Sequence, residues 1–235
     1  MTNAGATIPA AVIFDLDGTL TDNMALHAAA FRAFLARHQL PPMTMALRRR
    51  IDGKRNAEIF PILFNREMTD AEWRAFEAEK EGLYREISHG QLQPVPGAIA
   101  LLDRLDALGI PVALATSAPR ENVGHTLEAI GLARYFRTIV RGDEVPHGKP
   151  APDVFLRAAE VLGVEPAACL AFEDAPVGVA AARAAGMTCV ALTTTFDAAA
   201  FAASEPPPDL VCADFDEFLQ QASLNPDRAA AARDL

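Results

Sequence analysis

The chain has 235 residues, of which 51% are hydrophobic and 22% charged, and its formal net charge is -10. This length allows one sizeable core, or a core domain with a smaller inserted one. The negative charge argues against a nucleic-acid-binding surface, and no stretch approaches the ~20 apolar residues of a membrane span. An anionic substrate would therefore need local positive charge in an otherwise acidic protein.

The cysteines and the first ten residues are typical of a cytoplasmic protein. Cys169, Cys189 and Cys212 lie in apolar contexts, and no metal-binding spacing such as CxxC occurs. They are typical of reduced, buried thiols. The opening MTNAGATIPA lacks the basic region and apolar run of a signal peptide. We expect a soluble, cytoplasmic protein, a monomer or weak oligomer, that binds neither nucleic acid nor membrane.

Short apolar runs of strand length alternate with glycine-terminated helical segments along most of the chain. This alternation predicts an α/β fold, a doubly wound, Rossmann-like parallel sheet with helices on both faces. Runs such as VALA and CLAF are apolar on both faces, as a sheet between two helix layers requires. The predicted strands are AAVIFD, IPVALATS, FRTIVRG, ACLAFED, MTCVALTT and DLVCADF. The predicted helices between them are PGAIALLDRLDALG, PRENVGHTLEAIG, APDVFLRAAEVLG and APVGVAAARAAG.

The segment from Asp22 to Pro96 differs, because it contains no strand-like run and its apolar residues recur at helical spacing. One of its helices is predicted to begin with a capping box formed by Thr69 and Glu72. We expect an inserted helical cap domain of residues 22–96, and a catalytic core formed by residues 1–21 and 97–235. The predicted cap helices are NMALHAAAFRAFLARH, RNAEIFPILF and TDAEWRAFEAEKEGLYREI.

Polar residues follow the predicted core strands at their carboxyl ends, where an open parallel sheet binds ligands. Four carboxylates that converge on one crevice repel one another, and a divalent cation resolves that conflict. Oxygen ligation without His or Cys indicates a hard ion such as Mg²⁺, which shares its coordination shell with a substrate phosphate. The residues concerned are Asp15, Asp17, Thr116, Ser117, Lys149, Glu173 and Asp174.

With such a cation in place, an aspartate can attack phosphorus while a second carboxylate handles the leaving-group proton. The pattern predicts Asp15 as the nucleophile and Asp17 as the acid and then the base. Thr116 or Ser117, Lys149 and backbone amides of the loop after the first strand would hold the oxygens of the transferring group.

Four motifs resemble those of the haloacid dehalogenase-like superfamily, in the order that this superfamily uses: DLDGT, the ATS strand end, GKPAPDVF and FEDAPVGVAAARAAGM. The resemblance covers nearly the whole chain. The helical insert after the first motif is similar to the small cap of the branch that contains β-phosphoglucomutase and many sugar-phosphate phosphatases. The resemblance implies a Mg²⁺-dependent phosphatase that hydrolyses a small phosphate monoester through an aspartyl-phosphate. It also implies Asp15 as nucleophile and metal ligand, Asp17 as acid/base and metal ligand through its carbonyl, Ser117 or Thr116 and Lys149 as phosphate binders, and Asp174 with Glu173 as the remaining metal site.

Two other functions stay open at this point. A sugar phosphomutase of this family places a serine and a lysine just after the second motif and an arginine in the cap. Ala118, Pro119 and Asn56 occupy those positions here, which disfavours a mutase. Nearby basic residues could substitute for these side chains, so the mutase is not excluded. These basic residues are Lys54, Arg55 and Arg120.

A catalytically silent binding or regulatory protein is disfavoured, because every catalytic position is filled.

Substrate choice is expected to depend on the cap. His27 lies on the first cap helix, and Gly53, Lys54 and Arg55 lie at the start of a later one. A basic helix start suits an anionic substrate group. A half-buried histidine on an amphipathic face and a solvated basic turn are equally compatible with these residues.

Overall fold

The sheet of this protein, seen in a computed structural model that describes residues 8–51 and 55–221, has six parallel strands. Their spatial order is β3-β2-β1-β4-β5-β6, so the strand order reverses between β1 and β4. This is the Rossmann-like order that the sequence predicts, and its switch point lies beside the carboxyl ends of β1 and β4. The strands are β1 (Ala11–Phe14), β2 (Val112–Thr116), β3 (Thr138–Arg141), β4 (Cys169–Glu173), β5 (Thr188–Leu192) and β6 (Leu210–Cys212).

Helices cover both faces of the sheet and fill the connection between β1 and β2. Among the described residues no helix is long and apolar enough to span a bilayer. The helices in chain order are α1 (Met24–Arg37), α2 (Met45–Ile51), α3 (Asn56–Phe64), α4 (Asp70–Ser88), α5 (Ala98–Ala107), α6 (Arg120–Ala129), α7 (Asp153–Leu162), α8 (Pro176–Ala184), α9 (Ala198–Ala202) and α10 (Phe215–Gln221).

The two faces of the sheet pack against different helix layers because successive side chains of a strand point in opposite directions. Val12 and Phe14 of β1 belong to a buried cluster that also contains residues of α5, α6 and α10. Ala11 and Ile13 belong to a second buried cluster with residues of α7, α8 and α9. Every residue of β1 is therefore buried, which accounts for its continuous apolar run.

Helices α1 to α4 share a hydrophobic core of their own. Phe34 of α1, Phe60 of α3 and Leu83 of α4 are buried in it. The predicted capping box is present, since Glu72 N donates to Thr69 Oγ1 at 3.4 Å and Thr69 N donates to Glu72 Oε2 at 2.9 Å. The division into a core of residues 1–21 and 97–235 and a cap of residues 22–96 stays a prediction.

Three short helices, α2, α9 and α10, are not among the predicted elements. Each has seven residues or fewer, which is too short for helical periodicity to stand out from a loop. The predicted strand DLVCADF ends early, because Asp214 accepts a hydrogen bond from Glu217 N at 2.9 Å and caps α10. Phe215 of this run therefore packs from a helix rather than from a strand.

Candidate active site

Three acidic side chains meet at the switch point of the sheet. Asp15 directly follows β1, Glu173 ends β4, and Asp174 comes next. Asp15 N donates to Phe172 O at 3.0 Å, which joins the two strand ends. Ligand atoms of the three carboxylates lie within 4.8 Å of one another, and all three residues are buried. The parallel pairing of β1 with β4 is thus what brings residues about 160 positions apart into one cluster.

Lys149 is the cation at this cluster. Its Nζ donates to Asp15 Oδ1 and to Glu173 Oε1, each at 2.6 Å. Burial alone would lower the pKa of Lys149, but the charges of Asp15 and Glu173 raise it well above its ordinary value. Lys149 is therefore held as a buried ammonium that faces the carboxylates.

One ammonium does not balance three buried carboxylates. Burial raises the pKa of Asp15 well above its ordinary value, the charges of Glu173 and Asp174 raise it further, and Lys149 only partly opposes them. Burial, with the charge of Glu173, also raises the pKa of Asp174 to about 7. A cluster of oxygen donors with such a deficit of positive charge fits a hard divalent cation.

Glu173 differs from the other two carboxylates because both of its oxygens already have protein partners. Lys149 donates to Oε1, and the backbone amides of Asp174 and Ala175 donate to Oε2 at 3.1 and 3.4 Å. Asp174 Oδ1 accepts one bond, from Thr19 Oγ1 at 3.3 Å. Glu173 is therefore positioned to orient Lys149, as well as being close enough to contribute a ligand atom.

Two glycines leave the space that these carboxylates occupy. A Cβ at Gly18, where φ is +87°, would lie 2.0 Å from Asp174 Oδ2. A Cβ at Gly178, near the start of α8, would lie 1.9 Å from Glu173 Cδ. Both distances are far below van der Waals contact, so each glycine is required by its neighbouring carboxylate.

Asp17 lies two residues after Asp15, but its carboxylate has different neighbours. Asn23 Nδ2 donates to Asp17 Oδ1 at 2.6 Å, and His27 Nε2 lies 3.5 Å from the same oxygen. Burial alone would raise the pKa of Asp17, but His27 and Asn23 lower it below its ordinary value. The two aspartates of the motif therefore face different partners, and their pKa values move in opposite directions.

Thr116 and Ser117 are alternatives in the sequence that the structure distinguishes. Thr116 is buried, and its Oγ1 accepts a hydrogen bond from Ala118 N at 3.0 Å. Ser117 is exposed and lines the cleft beside the acidic cluster. The hydroxyl of Thr116 stabilises the turn, which leaves that of Ser117 available to a ligand.

The cleft lies between the sheet and helices α1, α3 and α4 and encloses ≈ 930 Å³. Every predicted site residue that the structure describes lines it, whereas Gly53 and Lys54 lie outside the described residues. Residues at the strand ends and residues of helices α1, α3 and α4 therefore share one cavity large enough for a small metabolite. These lining residues are Asp15, Asp17, Thr116, Ser117, Lys149, Glu173, Asp174, His27 and Arg55.

Arg55 and His27 have protein partners within this cleft. The guanidinium of Arg55 donates to Val145 O at 3.5 Å and to Pro146 O at 3.1 Å. It therefore joins α3 to the loop that carries Lys149. The ring of His27 stacks on Tyr84, with centroids 3.8 Å apart, and its Nδ1 lies 3.5 Å from Lys80 Nζ.

Several residues of the site were not predicted from the sequence. Asn23 follows the first motif closely, but its amide becomes informative only once its distance to Asp17 is known. Lys80 is buried, and its Nζ lies 2.9 Å from Glu81 Oε1. The one feature of the sequence that could have pointed to Lys80 is the scarcity of lysine. The chain contains only three lysines, which are Lys54, Lys80 and Lys149.

Comparisons with known proteins agree with this geometry. A family model described as haloacid dehalogenase-like hydrolase matches residues 9–186. Protein CbbY of Rhodobacter capsulatus is 39% identical over 189 residues, which cover 77% of this chain and 83% of that protein. Fructose-1-phosphate phosphatase YqaB of Escherichia coli is 34% identical over 183 residues, which cover 77% of this chain and 95% of that enzyme. A solved HAD hydrolase of family IA, variant 3, from Entamoeba histolytica gives a TM-score of 0.79 at 27% identity, and the match covers 94% of this chain and 97% of that one. The resemblance in the sequence motifs is thereby confirmed, and the chain belongs to the haloacid dehalogenase-like hydrolases.

Proposed function

We propose that this protein is a Mg²⁺-dependent phosphatase that hydrolyses a small phosphate monoester, a sugar phosphate or a related metabolite, through an aspartyl-phosphate. The observation that carries the proposal is the separation of the two motif aspartates. Asp15 lies in the acidic cluster with Lys149 at 2.6 Å, whereas Asp17 lies outside it, beside Asn23 and His27. A nucleophile and an acid/base need such separate environments.

In the first step Asp15 attacks phosphorus. The hydrogen bond from Lys149 to Oδ1 orients the carboxylate and leaves its other oxygen for the attack. A bond forms between Asp15 and phosphorus, the bond from phosphorus to the sugar oxygen breaks, and Asp17 gives a proton to that oxygen. The negative phosphate group beside Asp17 favours the protonated carboxyl that this step needs.

In the second step Asp17 acts as the base. It takes a proton from a water molecule that attacks phosphorus, the bond to Asp15 breaks, and inorganic phosphate leaves. Asp17 is ionised once it has given its proton to the leaving oxygen, and the carboxylate is the form that accepts a proton from water. Ser117 and Lys149 are proposed to bind the phosphoryl oxygens, on which negative charge accumulates.

The metal is proposed to bind Asp15 and Asp174, with Asp17 contributing its carbonyl. Glu173 is proposed to hold Lys149 in place and to complete the metal site. When bound, the cation neutralises carboxylate charge and polarises the phosphoryl group. Mg²⁺ suits this donor set because it binds through few carboxylates and shares its shell with substrate phosphate.

The surroundings of Asn56 favour hydrolysis over a mutase reaction. Asn56, which occupies the position of the mutase arginine, donates to Glu77 Oε1 at 2.7 Å and to Glu81 Oε1 at 3.3 Å. Its amide hydrogens are thus used by these two glutamates, and the Asn56 side chain itself carries no positive charge to bind a second phosphate. A relative named as a fructose-1-phosphate phosphatase supports the substrate class. The mutase alternative is therefore not favoured.

The test is turnover by the purified protein with Mg²⁺ on a panel of sugar monophosphates that includes fructose 1-phosphate. Free phosphate and isomeric sugar phosphate are measured together. We expect phosphate release, and Asp15→Asn is expected to abolish both turnover and phosphoenzyme labelling. Isomer formation without phosphate release would establish the mutase instead. Intact metal binding without any turnover would favour the silent protein.

The remaining expectations concern the binding partner, the localisation and the oligomeric state of the enzyme. We propose a phosphorylated small molecule as its binding partner. Cytoplasmic localisation and a monomeric or weakly oligomeric state stay predictions, and size-exclusion chromatography with light scattering tests the latter.

A further inference from the structure

Both neighbours of the Asp17 carboxylate are held by one aromatic side chain. Asn23 donates to Asp17 Oδ1, and His27 approaches the same oxygen. Tyr84 of α4 contacts each of these two residues. Its hydroxyl accepts a hydrogen bond from Asn23 Nδ2 at 2.6 Å, and its ring stacks on His27 with an interplanar angle of 7°.

Asn23 has a single orientation that satisfies its partners. The residue is fully buried. Its Oδ1 accepts from Gly18 N at 3.1 Å, and the two hydrogens of Nδ2 go to Asp17 Oδ1 and Tyr84 OH. Rotating the amide by 180° would set its oxygen against the Asp17 carboxylate, which repels it. Removing the Tyr84 hydroxyl leaves a buried N–H of Asn23 without its acceptor, so the Asn23 amide loses one of the hydrogen bonds that fix its orientation.

Tyr84 does not act on a ligand directly. It is fully buried and is not among the cleft-lining residues that the structure describes. Burial, with the charge of Asp17, raises the pKa of Tyr84 to about 12, so the phenol is neutral in the physiological range. Its oxygen accepts from Asn23, and the hydroxyl of Thr126 on α6 lies 3.4 Å away. Tyr84 therefore links the cap helix α4, the core helix α6 and the segment after the first motif.

We propose that Tyr84 is a positioning residue for the acid/base Asp17, which it orients through its hydrogen bond with Asn23 and its stacking on His27. The inference rests on the proposed function, since it assigns Tyr84 a role in the proton transfers of Asp17. The ring of Tyr84 also packs in the hydrophobic core that helices α1 to α4 share. The positioning role that we propose is distinct from this packing role.

Leaving-group chemistry separates the two roles. A sugar alcohol is a strongly basic leaving group, so its departure depends on a well-placed proton donor. A nitrophenol is far more acidic and leaves without one. A misplaced Asp17 therefore slows phosphoryl transfer from a sugar phosphate more than from p-nitrophenyl phosphate. General damage to the fold slows both reactions alike.

The experiment compares Tyr84→Phe with Tyr135→Phe, since Tyr135 is the other tyrosine of the chain and its hydroxyl bonds Asp103 on the surface. For each variant, kcat/KM is measured on p-nitrophenyl phosphate and on the sugar phosphate that the wild type hydrolyses fastest. We expect Tyr84→Phe to lower kcat/KM for the sugar phosphate about tenfold, part of the gain that general acid catalysis gives. The value for p-nitrophenyl phosphate should change less than twofold, and Tyr135→Phe should match the wild type on both.

A crystal structure of Tyr84→Phe supplies a readout that needs no activity. We expect the Asn23 amide and the Asp17 carboxylate to leave the orientation in which Nδ2 and Oδ1 are 2.6 Å apart. Unchanged positions of both groups, or equal losses on the two substrates, would overturn the positioning role. A wild type that releases no phosphate from any ester would refute the proposed function, and the crystal structure would still decide whether Tyr84 orients Asp17.

Discussion

At the scale of single residues, the first motif assigns two chemically identical side chains to two environments. Asp15 and Asp17 are separated by one residue, yet Asp15 lies among buried carboxylates with Lys149, whereas Asp17 lies beside Asn23 and His27. Burial, with the like charges of Glu173 and Asp174, raises the pKa of Asp15, whereas His27 and Asn23 lower that of Asp17. The difference comes from the neighbours that the fold supplies and not from the aspartates.

The metal requirement is tested at Asp174. Mg²⁺ is expected to raise the melting temperature of the wild type by about 5–10 °C at a hundredfold excess over Kd. Asp174→Asn should abolish this response and should melt higher than the wild type in EDTA, because it removes one of the repelling carboxylates. Differential scanning calorimetry measures both effects.

Asp143→Asn is the matched control for that experiment, because Asp143 lines the same cleft but lies outside the acidic cluster. Its response to Mg²⁺ should equal that of the wild type. A full response in Asp174→Asn would show that the cation binds elsewhere.

At the scale of elements, helices α8 and α6 each contain a glycine, and the two glycines have different surroundings. Gly178 on α8 faces Glu173, whereas a Cβ at Gly124 on α6 would meet no atom within 4 Å. Gly178→Ala is expected to displace Glu173, to cost about 1–3 kcal/mol of unfolding free energy and to reduce turnover at least tenfold. Gly124→Ala is expected to stabilise by up to about 1 kcal/mol and to keep full activity. Urea unfolding and phosphate release measure the pair, and equal behaviour of the two variants would contradict the packing argument.

The contact between α4 and α6 is polar although it is buried. Asn122 of α6 donates to Glu81 Oε2 at 2.7 Å and accepts from Arg85 Nη1 at 2.7 Å. Ser88 Oγ lies 2.8 Å from His125 Nε2. Such an interface depends on matched partners, so its stability depends on the ionisation of Glu81.

Because of this dependence, the free energy of unfolding is predicted to change with pH. Burial alone would raise the pKa of Glu81, but the Lys80 charge, followed by hydrogen bonds that include one from Asn122, lowers it below its ordinary value. The unfolded state therefore binds the proton more tightly, and ionised Glu81 stabilises the fold above about pH 4.3. This contribution is lost as the pH falls through the lower folded-state value.

Glu81→Gln is expected to cost about 3 kcal/mol at pH 7, because Lys80 is left buried without its carboxylate. The difference from the wild type should shrink progressively as the pH falls below about 4.3. Urea unfolding at several pH values measures it, with Glu79→Gln, at a partly exposed site on the same helix, as the comparison. A difference that is independent of pH would rule out the charge as its source.

At the scale of the whole molecule, the cleft lies where helices α1, α3 and α4 face the carboxyl ends of the strands. Arg55 bridges the two sides by donating to the carbonyls of Val145 and Pro146. Each such bond contributes about 0.5–1.5 kcal/mol. Arg55→Ala is therefore expected to favour an open cap, to raise KM about tenfold and to increase the radius of gyration measured by X-ray scattering.

Arg66→Ala is the control, since Arg66 pairs with Glu72 on the outside of the cap. It should leave KM and the radius of gyration unchanged. A raised KM in Arg55→Ala without any change in shape would assign Arg55 to substrate binding alone, as the sequence pattern also allows.

Much of the fold could be predicted from the sequence because its signals are local. Apolar runs, terminal glycines and helical spacing predict the strands and the longer helices, and the order of polar residues at strand ends predicts the acidic cluster. The short helices α2, α9 and α10 escape prediction because one or two turns carry too little periodicity. Asn23 and Tyr84 escape because their relation spans 61 residues and depends on how α4 packs.

The sequence by itself determined the family, the parallel α/β sheet and the chemical groups at its switch point, since each follows from residue type and spacing along the chain. Only the tertiary structure decided the surroundings of each of those groups. It separated Thr116 from Ser117 by burial, placed Lys149 in a hydrogen bond with Glu173, and joined Asp17 to α4 through Asn23. These are differences of distance and solvent access between residues far apart in the chain, and pairing and packing create them.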